Sequence, residues 1–109
     1  MKNKPFFTII TASFNNAGSI KNTLDSVADQ TFQSLEHIVI DGGSTDETSC
    51  LLKSYESNYN LKWISEPDDG IADAMNKGVR QAQGEYIIFI HSDDTLYRND
   101  SLAIAYEIM

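Results

Sequence analysis

Cysteine is almost missing from this sequence: Cys50 is the single example among 109 residues. One thiol cannot form an internal disulfide or a cysteine-based metal cage, so the composition predicts a reducing, cytoplasmic environment. Cys50 falls within a predicted helix, with no histidine placed to activate it. This position favours a structural thiol in the core over a nucleophile.

Basic residues are also few. Lys and Arg together number 8 against 16 Asp and Glu, which gives a formal net charge of −8. A general nucleic-acid-binding surface needs clustered Lys and Arg side chains, and the sequence contains no such cluster. The balance of charges therefore excludes nucleic acid as a partner.

The sequence lacks long hydrophobic runs. No uninterrupted apolar run is longer than the one at residues 86–90, far short of the ~20 residues that cross a bilayer as a helix. The apolar stretch at 6–10 follows two lysines as in a signal peptide, but polar residues interrupt it and no small-residue cleavage site follows. We therefore expect no transmembrane segment in this chain, and only a peripheral membrane association through segments outside it.

The common glycine-rich nucleotide-binding motifs are missing as well. After the first predicted strand the chain reads Ala12-Ser13-Phe14-Asn15-Asn16-Ala17-Gly18, with a single glycine in place of the dinucleotide-binding fingerprint. No Gly-Lys-Ser or Gly-Lys-Thr sequence is present either. A dinucleotide-dependent dehydrogenase and a P-loop nucleotidase are therefore both poor matches.

What the sequence does contain is an alternation of apolar stretches and helical patterns. Predicted strands cover residues 6–11, 35–40, 61–64 and 86–90. Each is followed by apolar residues at helical spacing, namely Ile20, Leu24, Val27 and Ala28; Leu51, Leu52 and Tyr55; Ile71, Met75, Val79 and Ala82; and Leu102, Ala105, Tyr106 and Met109. Alternating strands and helices, with continuously apolar strands, predict an α/β fold of three layers, α/β/α, around a mainly parallel sheet.

Local signals predict where these helices begin and end. The first helix is expected to begin near Ser19, and Ser44 and Glu47 have the spacing of a capping box before the second. Gly84 stands where the third helix is expected to stop. The last helical pattern reaches Met109 without a stop signal, which indicates a shortened chain.

Acidic residues gather after three of the predicted strands. They are Asp41, Asp46, Glu47, Glu66, Asp68, Asp69, Asp93 and Asp94. Ligands of open parallel sheets bind at the carboxyl ends of the strands, and carboxylates gathered there repel one another unless a cation or hydrogen-bond donors share the site. The preference of acids for helix N-termini explains Asp46 and Glu47 better than it explains Asp93 and Asp94. Hard oxygen ligands of this kind suit Mg²⁺ or Mn²⁺.

Single residues of the strands and their carboxyl ends differ in the roles that the sequence predicts for them. Asp41 ends a strand and opens a Gly42-Gly43 turn, so it is placed to accept hydrogen bonds from a base or ribose, with a backbone that permits close approach. His37 and Trp63 lie in strands and are expected to be structural. For His91 both a structural role and a role in the site stay open, because the histidine stands beside the acidic pair.

Four motifs, taken in order, resemble those of family 2 glycosyltransferases. They are Thr11-Ala12-Ser13-Phe14-Asn15, Asp41-Gly42-Gly43-Ser44-Thr45-Asp46, Glu66-Pro67-Asp68-Asp69-Gly70-Ile71 with Ala74, Asn76 and Gly78, and Ser92-Asp93-Asp94. The resemblance covers nearly the whole chain. It implies the nucleotide-binding half of a GT-A fold, and metal-assisted transfer of a sugar from a nucleoside-diphosphate sugar to an acceptor hydroxyl in polysaccharide or glycoconjugate synthesis.

The resemblance also implies roles for individual residues. Nucleotide-sugar ligands would be Ala12, Ser13, Phe14, Asn15, Asp41, Gly42, Asp68, Gly70 and Asp93. Among them, Phe14 would lie against the base and Asp41 would recognise it. Asp94 would hold the Mg²⁺ or Mn²⁺ ion that bridges the diphosphate. His91 stands where the family often has Asn or Asp, which leaves its role open.

The resemblance implies that part of the enzyme is missing. Family members continue with an acceptor-binding half, so residues 1–109 would form a single nucleotide-sugar-binding domain. The catalytic base and the site for a saccharide or lipid-linked acceptor would lie beyond Met109, and the chain alone would be inactive. The uncapped helical pattern at Ile108-Met109 separately predicts exposed apolar surface and therefore self-association. The alternative is a non-catalytic nucleotide-binding or regulatory α/β module. A phosphoacceptor receiver domain would need an acidic pair where this chain has Ser13 and Asn15.

Overall fold

Four strands alternate with four helices along the chain, as predicted. The computed structural model describes residues 4–92, 95–96 and 99–108. The elements are β1 (Phe7–Ser13), α1 (Ala17–Ala28), β2 (Leu35–Asp41), α2 (Thr48–Tyr55), β3 (Leu61–Ser65), α3 (Ile71–Gln81), β4 (Tyr86–Phe89) and α4 (Ser101–Ile108). Within the described residues, no helix is long and apolar enough to cross a membrane.

The four strands form one parallel sheet in the order β3-β2-β1-β4. Phe7 of β1 is paired with Leu35 on one side and with Tyr86 on the other. The chain therefore adds β2 and β3 on one side of β1 and then crosses to the opposite side for β4. Such a reversal of strand order opens a crevice at the carboxyl ends of the two diverging strands, here β1 and β4.

One face of the sheet packs against α1, α2 and α4. Phe7 and Ile9 of β1 belong to one apolar cluster with Val27 of α1 and Leu102 of α4. A second cluster on this face contains Ile20, Leu24, Val39, Leu52 and Leu61. Alternate residues of a strand point to opposite faces, so β1 and β2, which are buried at nearly every position, are covered on both faces.

The other face packs against α3 through small residues. Ala74 of α3 shares a cluster with Ile38 and Ile40, and a Cβ added at Gly78 would lie 2.6 Å from Ile10 Cγ2. The predicted apolar face of α3 is therefore wrong in part: Ile71 is 57% exposed and Val79 41% exposed. Close approach of the helix to the sheet requires the smallest side chains at the contact, whatever their hydrophobicity.

The predicted capping box before α2 is not formed. α2 begins at Thr48, and the Asp46 carboxylate accepts both the backbone N–H and the hydroxyl of Thr48. Ser44 instead donates its hydroxyl to Asp41. An aspartate two residues before a helix offers a nearer acceptor than a serine four residues before it, and the short side chain closes a local turn.

Gly84 has a different role from the predicted one. α3 ends at Gln81, and the next residue, Ala82, has extended backbone angles of φ −67° and ψ 134°. Gly84 lies against β1, where an added Cβ would be 2.5 Å from Thr8 Oγ1 and 2.6 Å from the Thr8 nitrogen. The glycine is thus required by close contact with a strand and not by a left-handed helix end. α1 also begins at Ala17, two residues before the predicted Ser19.

The structure tests the sequence predictions for three further residues, Cys50, Trp63 and His37. Cys50 is exposed, so the prediction of a core thiol is wrong, because α2 directs Leu52 to the core and leaves Cys50 outside. Trp63 is half-buried, and its Nε1 donates to Glu56 at 3.0 Å. His37 is fully buried, which confirms its structural interpretation.

Candidate functional site

An open cavity of about 620 Å³ lies at the carboxyl ends of the strands, where the strand order reverses. Its volume is in the range typical of small-molecule sites. The lining residues come from the end of β1 and from the segments that follow all four strands: Ala12, Ser13, Phe14, Asn16, Gly42, Asp68, Gly70, Ile71, Ala74, His91 and Ser92. Motifs far apart in the sequence are therefore brought together at one edge of the sheet.

Most of the predicted nucleotide-sugar ligands in the described chain line this cavity. They are Ala12, Ser13, Phe14, Gly42, Asp68 and Gly70. Asn15 and Asp41 are not among the lining residues. Asp93 and Asp94 lie outside the described residues, so the two predictions for them, a sugar contact and a metal ligand, stay predictions.

The end of β1 presents one polar and one apolar group. Ser13 is 5% exposed, and its buried Oγ has no hydrogen-bond partner among the residues that the structure describes. A buried hydroxyl without a partner is uncommon, and it is available to a ligand or an ordered water molecule. Phe14, the next residue, is 57% exposed, so a large apolar ring stands open at the cavity.

Asp41 is engaged by the protein itself. It is fully buried and accepts hydrogen bonds from the backbone N–H of Ser44 at 2.8 Å, from the Ser44 hydroxyl, and from the Ser65 hydroxyl at 2.8 Å. Its carboxylate therefore fixes the loop after β2 to the end of β3. The predicted contact of Asp41 with a base stays a prediction.

The loop after β3 reaches over the loop after β2. Asp68 Oδ1 accepts the backbone N–H of Gly70 at 3.0 Å, and a Cβ added at Gly42 would lie 3.1 Å from Asp68 Oδ2. Gly70 has φ 109°, a left-handed conformation that favours glycine, and it directly precedes α3. The two glycines thus allow the Asp68 carboxylate to lie at the cavity wall.

Lys77 of α3 contacts this loop and holds it in place, although the sequence motifs did not predict a role for it in the site. Its Nζ lies 3.1 Å from Glu66 Oε1, 3.3 Å from the Pro67 carbonyl oxygen and 3.7 Å from Asp73 Oδ2. The hydrogen bond to Glu66 raises the pKa of Lys77, so the ammonium stays charged. The four-residue spacing of Asp73 and Lys77 on a helix was the available signal.

His91 and Ser92 complete the cavity after β4. The His91 side chain is exposed at the cavity, and the Ser92 carbonyl oxygen accepts the Thr23 hydroxyl at 3.1 Å. Across residues 4–92, 95–96 and 99–108, no group of three or more His, Cys, Asp or Glu side chains could hold a metal ion. The acidic pair that follows Ser92 in the sequence is therefore the remaining metal-binding prediction.

The chain belongs to glycosyl transferase family 2, whose family model matches residues 8–108. This confirms the resemblance drawn from the four motifs. An uncharacterized glycosyltransferase of Mycobacterium tuberculosis is 40% identical in an alignment 110 positions long, which covers 100% of this chain and 42% of that protein. A putative teichuronic acid biosynthesis glycosyltransferase, TuaG of Bacillus subtilis, is 37% identical over 97% of this chain and 42% of its own length. The chain thus spans about 42% of these relatives.

Solved glycosyltransferases share the fold. Mannosyltransferase PcManGT from Pyrobaculum calidifontis, in complex with GDP-Man and Mn²⁺, is 29% identical with a TM-score of 0.86, over 96% of this chain and 32% of that one. TarS of S. aureus in complex with UDP is 29% identical with a TM-score of 0.82, over 93% of this chain and 31% of that one. The α/β fold with a parallel sheet is therefore confirmed as that of GT-A glycosyltransferases.

Proposed function

We propose that this chain is the donor-binding part of a metal-assisted glycosyltransferase. The enzyme would transfer a sugar from a nucleoside-diphosphate sugar to an acceptor hydroxyl, in polysaccharide or glycoconjugate synthesis. The observation that carries the proposal is that residues at the carboxyl ends of all four strands contribute to one shared cavity. TarS bound to UDP and PcManGT bound to GDP-Man support a nucleotide-sugar ligand.

We assign the nucleotide to the β1 side of the cavity. The exposed ring of Phe14 offers an apolar face to a planar nucleobase. The unpartnered hydroxyl of Ser13 and the carboxylate of Asp68 offer hydrogen bonds to polar groups of the nucleotide. Glycines at 42 and 70 let the ligand approach the backbone closely.

The charges of the cavity favour a bound cation beside a diphosphate. The described lining residues include no Lys or Arg, while Asp68 adds a negative charge. We propose that Asp94 holds Mg²⁺ or Mn²⁺ and that Asp93 contacts the ribose or the sugar, since carboxylate oxygens suit these hard cations. When bound, the cation neutralises charge on the departing diphosphate.

The remaining parts of the enzyme are assigned to sequence outside these residues. We propose that a general base, which removes the proton from the attacking acceptor hydroxyl, is supplied there, together with the site for a saccharide or lipid-linked acceptor. The length of the relatives, of which the chain covers about 42%, supports this assignment. Within residues 1–109 we propose a single donor-binding domain.

Location and self-association are further parts of the proposal. The lone exposed cysteine is compatible with a reducing, cytoplasmic location, with peripheral membrane contact through other segments. Ile104, Tyr106 and Ile108 of α4 are 42%, 47% and 79% exposed, and we propose that this apolar surface promotes self-association of the chain. Light scattering at increasing concentration measures this: a constant monomer mass would contradict it.

Calorimetry with nucleotides tests the proposed function. UDP, GDP and TDP would be titrated into the 109-residue chain with Mn²⁺, with Mg²⁺ and with neither ion. We expect one of the nucleotides to bind, and to bind more tightly with a metal ion. Asp94→Ala should lose the dependence on metal, whereas Asp29→Ala, which removes an exposed aspartate at the far end of α1, should keep it. Failure of all three nucleotides to bind under any condition would refute the donor site.

A further inference from the structure

We propose that Asn15 is a positioning residue, which together with Ser44 joins the loops after β1 and β2 and so holds Phe14 at the cavity for the nucleobase. This inference rests on the proposed function, because Phe14 meets a base only if the cavity binds a nucleotide. The family resemblance places Asn15 among the nucleotide contacts, but its side chain is directed at the second loop. We call the Asn15–Ser44 pair the clasp.

The clasp is a chain of hydrogen bonds anchored in the sheet. The backbone N–H of Asn15 donates to Ser44 Oγ at 2.7 Å, and Asn15 Oδ1 accepts the backbone N–H of Thr45 at 2.8 Å. Ser44 Oγ can accept this bond because its own proton is donated to the buried Asp41 carboxylate. The end of β2 therefore fixes Ser44, and Ser44 fixes Asn15.

The backbone of Asn15 adds a second constraint. Its φ of 50° lies in the left-handed region, and no other non-glycine residue of the described chain has a positive φ. Asparagine, aspartate and glycine adopt this conformation most readily. Asn and Asp most readily combine this conformation with a short side-chain acceptor. Asparagine supplies both without placing a negative charge near a site for a diphosphate.

Phe14 is held on both sides as a result. Before it, the Ser13 carbonyl oxygen accepts the backbone N–H of Gly42 at 2.8 Å. After it stands the clasp, and the N–H of Phe14 itself donates to Asn16 Oδ1 at 3.0 Å. Its ring remains 57% exposed at the cavity. An aromatic ring that is already in place loses less conformational freedom when a planar ligand binds.

The test compares a nucleotide with a ligand that lacks the base. UDP, GDP and inorganic pyrophosphate would be titrated with Mn²⁺ into the 109-residue chain and its variants. Asn15→Ala and Phe14→Ala should each weaken nucleotide binding about tenfold, the effect of losing one base–aromatic contact. Neither should change pyrophosphate binding. The double variant should lose no more than either single variant, because Asn15 acts through Phe14.

Control and rescue variants make the comparison specific. Asn58→Ala removes an exposed asparagine after α2 and should bind as the wild type does. Asn15→Asp keeps the acceptor and the left-handed conformation, so it should restore the ratio of nucleotide to pyrophosphate affinity. Asn15→Gly keeps only the backbone and should restore this ratio in part. If Asn15→Ala does not fold, Ser44→Ala takes its place in the double-variant comparison.

The outcomes separate the two proposals. Equal weakening of pyrophosphate and nucleotide binding by Asn15→Ala would overturn the proposed role of the clasp, while the proposed nucleotide-binding function would stand. Additive losses in the double variant would overturn the role of the clasp in the same way. If the wild type bound neither UDP nor GDP here, and TDP also failed to bind in the calorimetry that tests the proposed function, both the proposed function and the role of the clasp would fall.

Discussion

Glu36 and Lys62 form an ion pair in which one partner is fully buried and the other is half-exposed. Lys62 Nζ lies 3.1 Å from Glu36 Oε1, with 49% of the lysine side chain and 0% of the glutamate side chain exposed. The second oxygen of Glu36 accepts the Thr8 hydroxyl at 2.7 Å and the backbone N–H of Gln83. Burial raises the pKa of Glu36, but hydrogen bonds from Gln83, Thr8 and Lys62 bring it below its ordinary value.

Glu36→Gln should destabilise the fold by about 1–3 kcal/mol at neutral pH. The side-chain NH₂ group of the new glutamine is a donor, and it would replace a carboxylate oxygen that accepts hydrogen bonds from Thr8, Lys62 or Gln83. The pKa of Glu36 is lowered by folding, so its contribution is full above the unfolded value of about 4.3 and is lost as pH falls through the folded value. Urea unfolding between pH 8 and pH 3 measures this. Glu85→Gln, at an exposed glutamate, is the control. An undiminished difference between wild type and Glu36→Gln at pH 3 would contradict the prediction.

His37 makes stability depend on pH in a higher window. Its ring nitrogens lie 2.8 Å from Thr11 Oγ1 and 2.8 Å from the Tyr59 hydroxyl, and burial lowers its pKa to about 3. The unfolded histidine, with a pKa of about 6.5, takes up a proton first, so stability should fall as pH drops from about 6.5 towards 3, by at most ~1.4 kcal/mol per pH unit.

Unfolding of His37→Gln at pH 7.5 and pH 5.5 isolates this effect. The variant should be less stable than the wild type at pH 7.5 and should lose less stability on acidification. His91→Gln, which changes an exposed histidine, should follow the wild type. Parallel losses in the wild type and His37→Gln would rule out the histidine as the source.

Gly84→Ala should destabilise the protein by about 1–3 kcal/mol, because the new methyl group overlaps the backbone of β1. Gly18→Ala is the matched change, since nothing lies within 4 Å of a Cβ at that helical position. It should be neutral or stabilising by up to ~1 kcal/mol. Thermal unfolding of both variants gives the comparison. Equal stability of the two would show that Gly84 is not constrained by Thr8.

The 109-residue chain should not catalyse sustained sugar transfer from UDP-GlcNAc or GDP-Man, even where it binds them. General base catalysis alone commonly contributes about 10²–10⁴-fold, and positioning of the acceptor adds to this. Assays with radiolabelled donors and simple sugar acceptors measure turnover. Transfer by the wild type that is lost in Asp94→Ala would establish the site but contradict the proposed absence of the base.

β1 and β2 were predictable because both are buried at nearly every position and carry apolar runs, Ile9-Ile10 and Ile38-Val39-Ile40. β4 was predictable from its apolar run alone, although three of its four residues are exposed. The parallel sheet and the cavity at its carboxyl edge follow from that pattern and from strand alternation. The contact face of α3 was not predictable from hydrophobicity, because Ala74 and Gly78 make the contact and the larger Ile71 is displaced to the cavity. Size decided this packing and hydrophobicity did not.

The internal bonds of the site were also beyond sequence reasoning. Ser65 donates to Asp41 from 24 residues away, and Asn15 accepts from Thr45, 30 residues away. Such pairs exist only after the strands have come into register. A motif can therefore indicate that Asn15 and Asp41 belong to the site without showing whether each contacts a ligand or another loop.

The position of β1 between β2 and β4 has a consequence for folding. Phe7 and Tyr86 are paired although most of the chain separates them, and the cavity draws on residues from Ala12 to Ser92. β1 and β4 must meet before the cavity exists, and closing so long a loop is slow. Any molecule that binds there selects the state in which these two strands are paired. Occupancy of the cavity should therefore slow global unfolding as well as fill a local site.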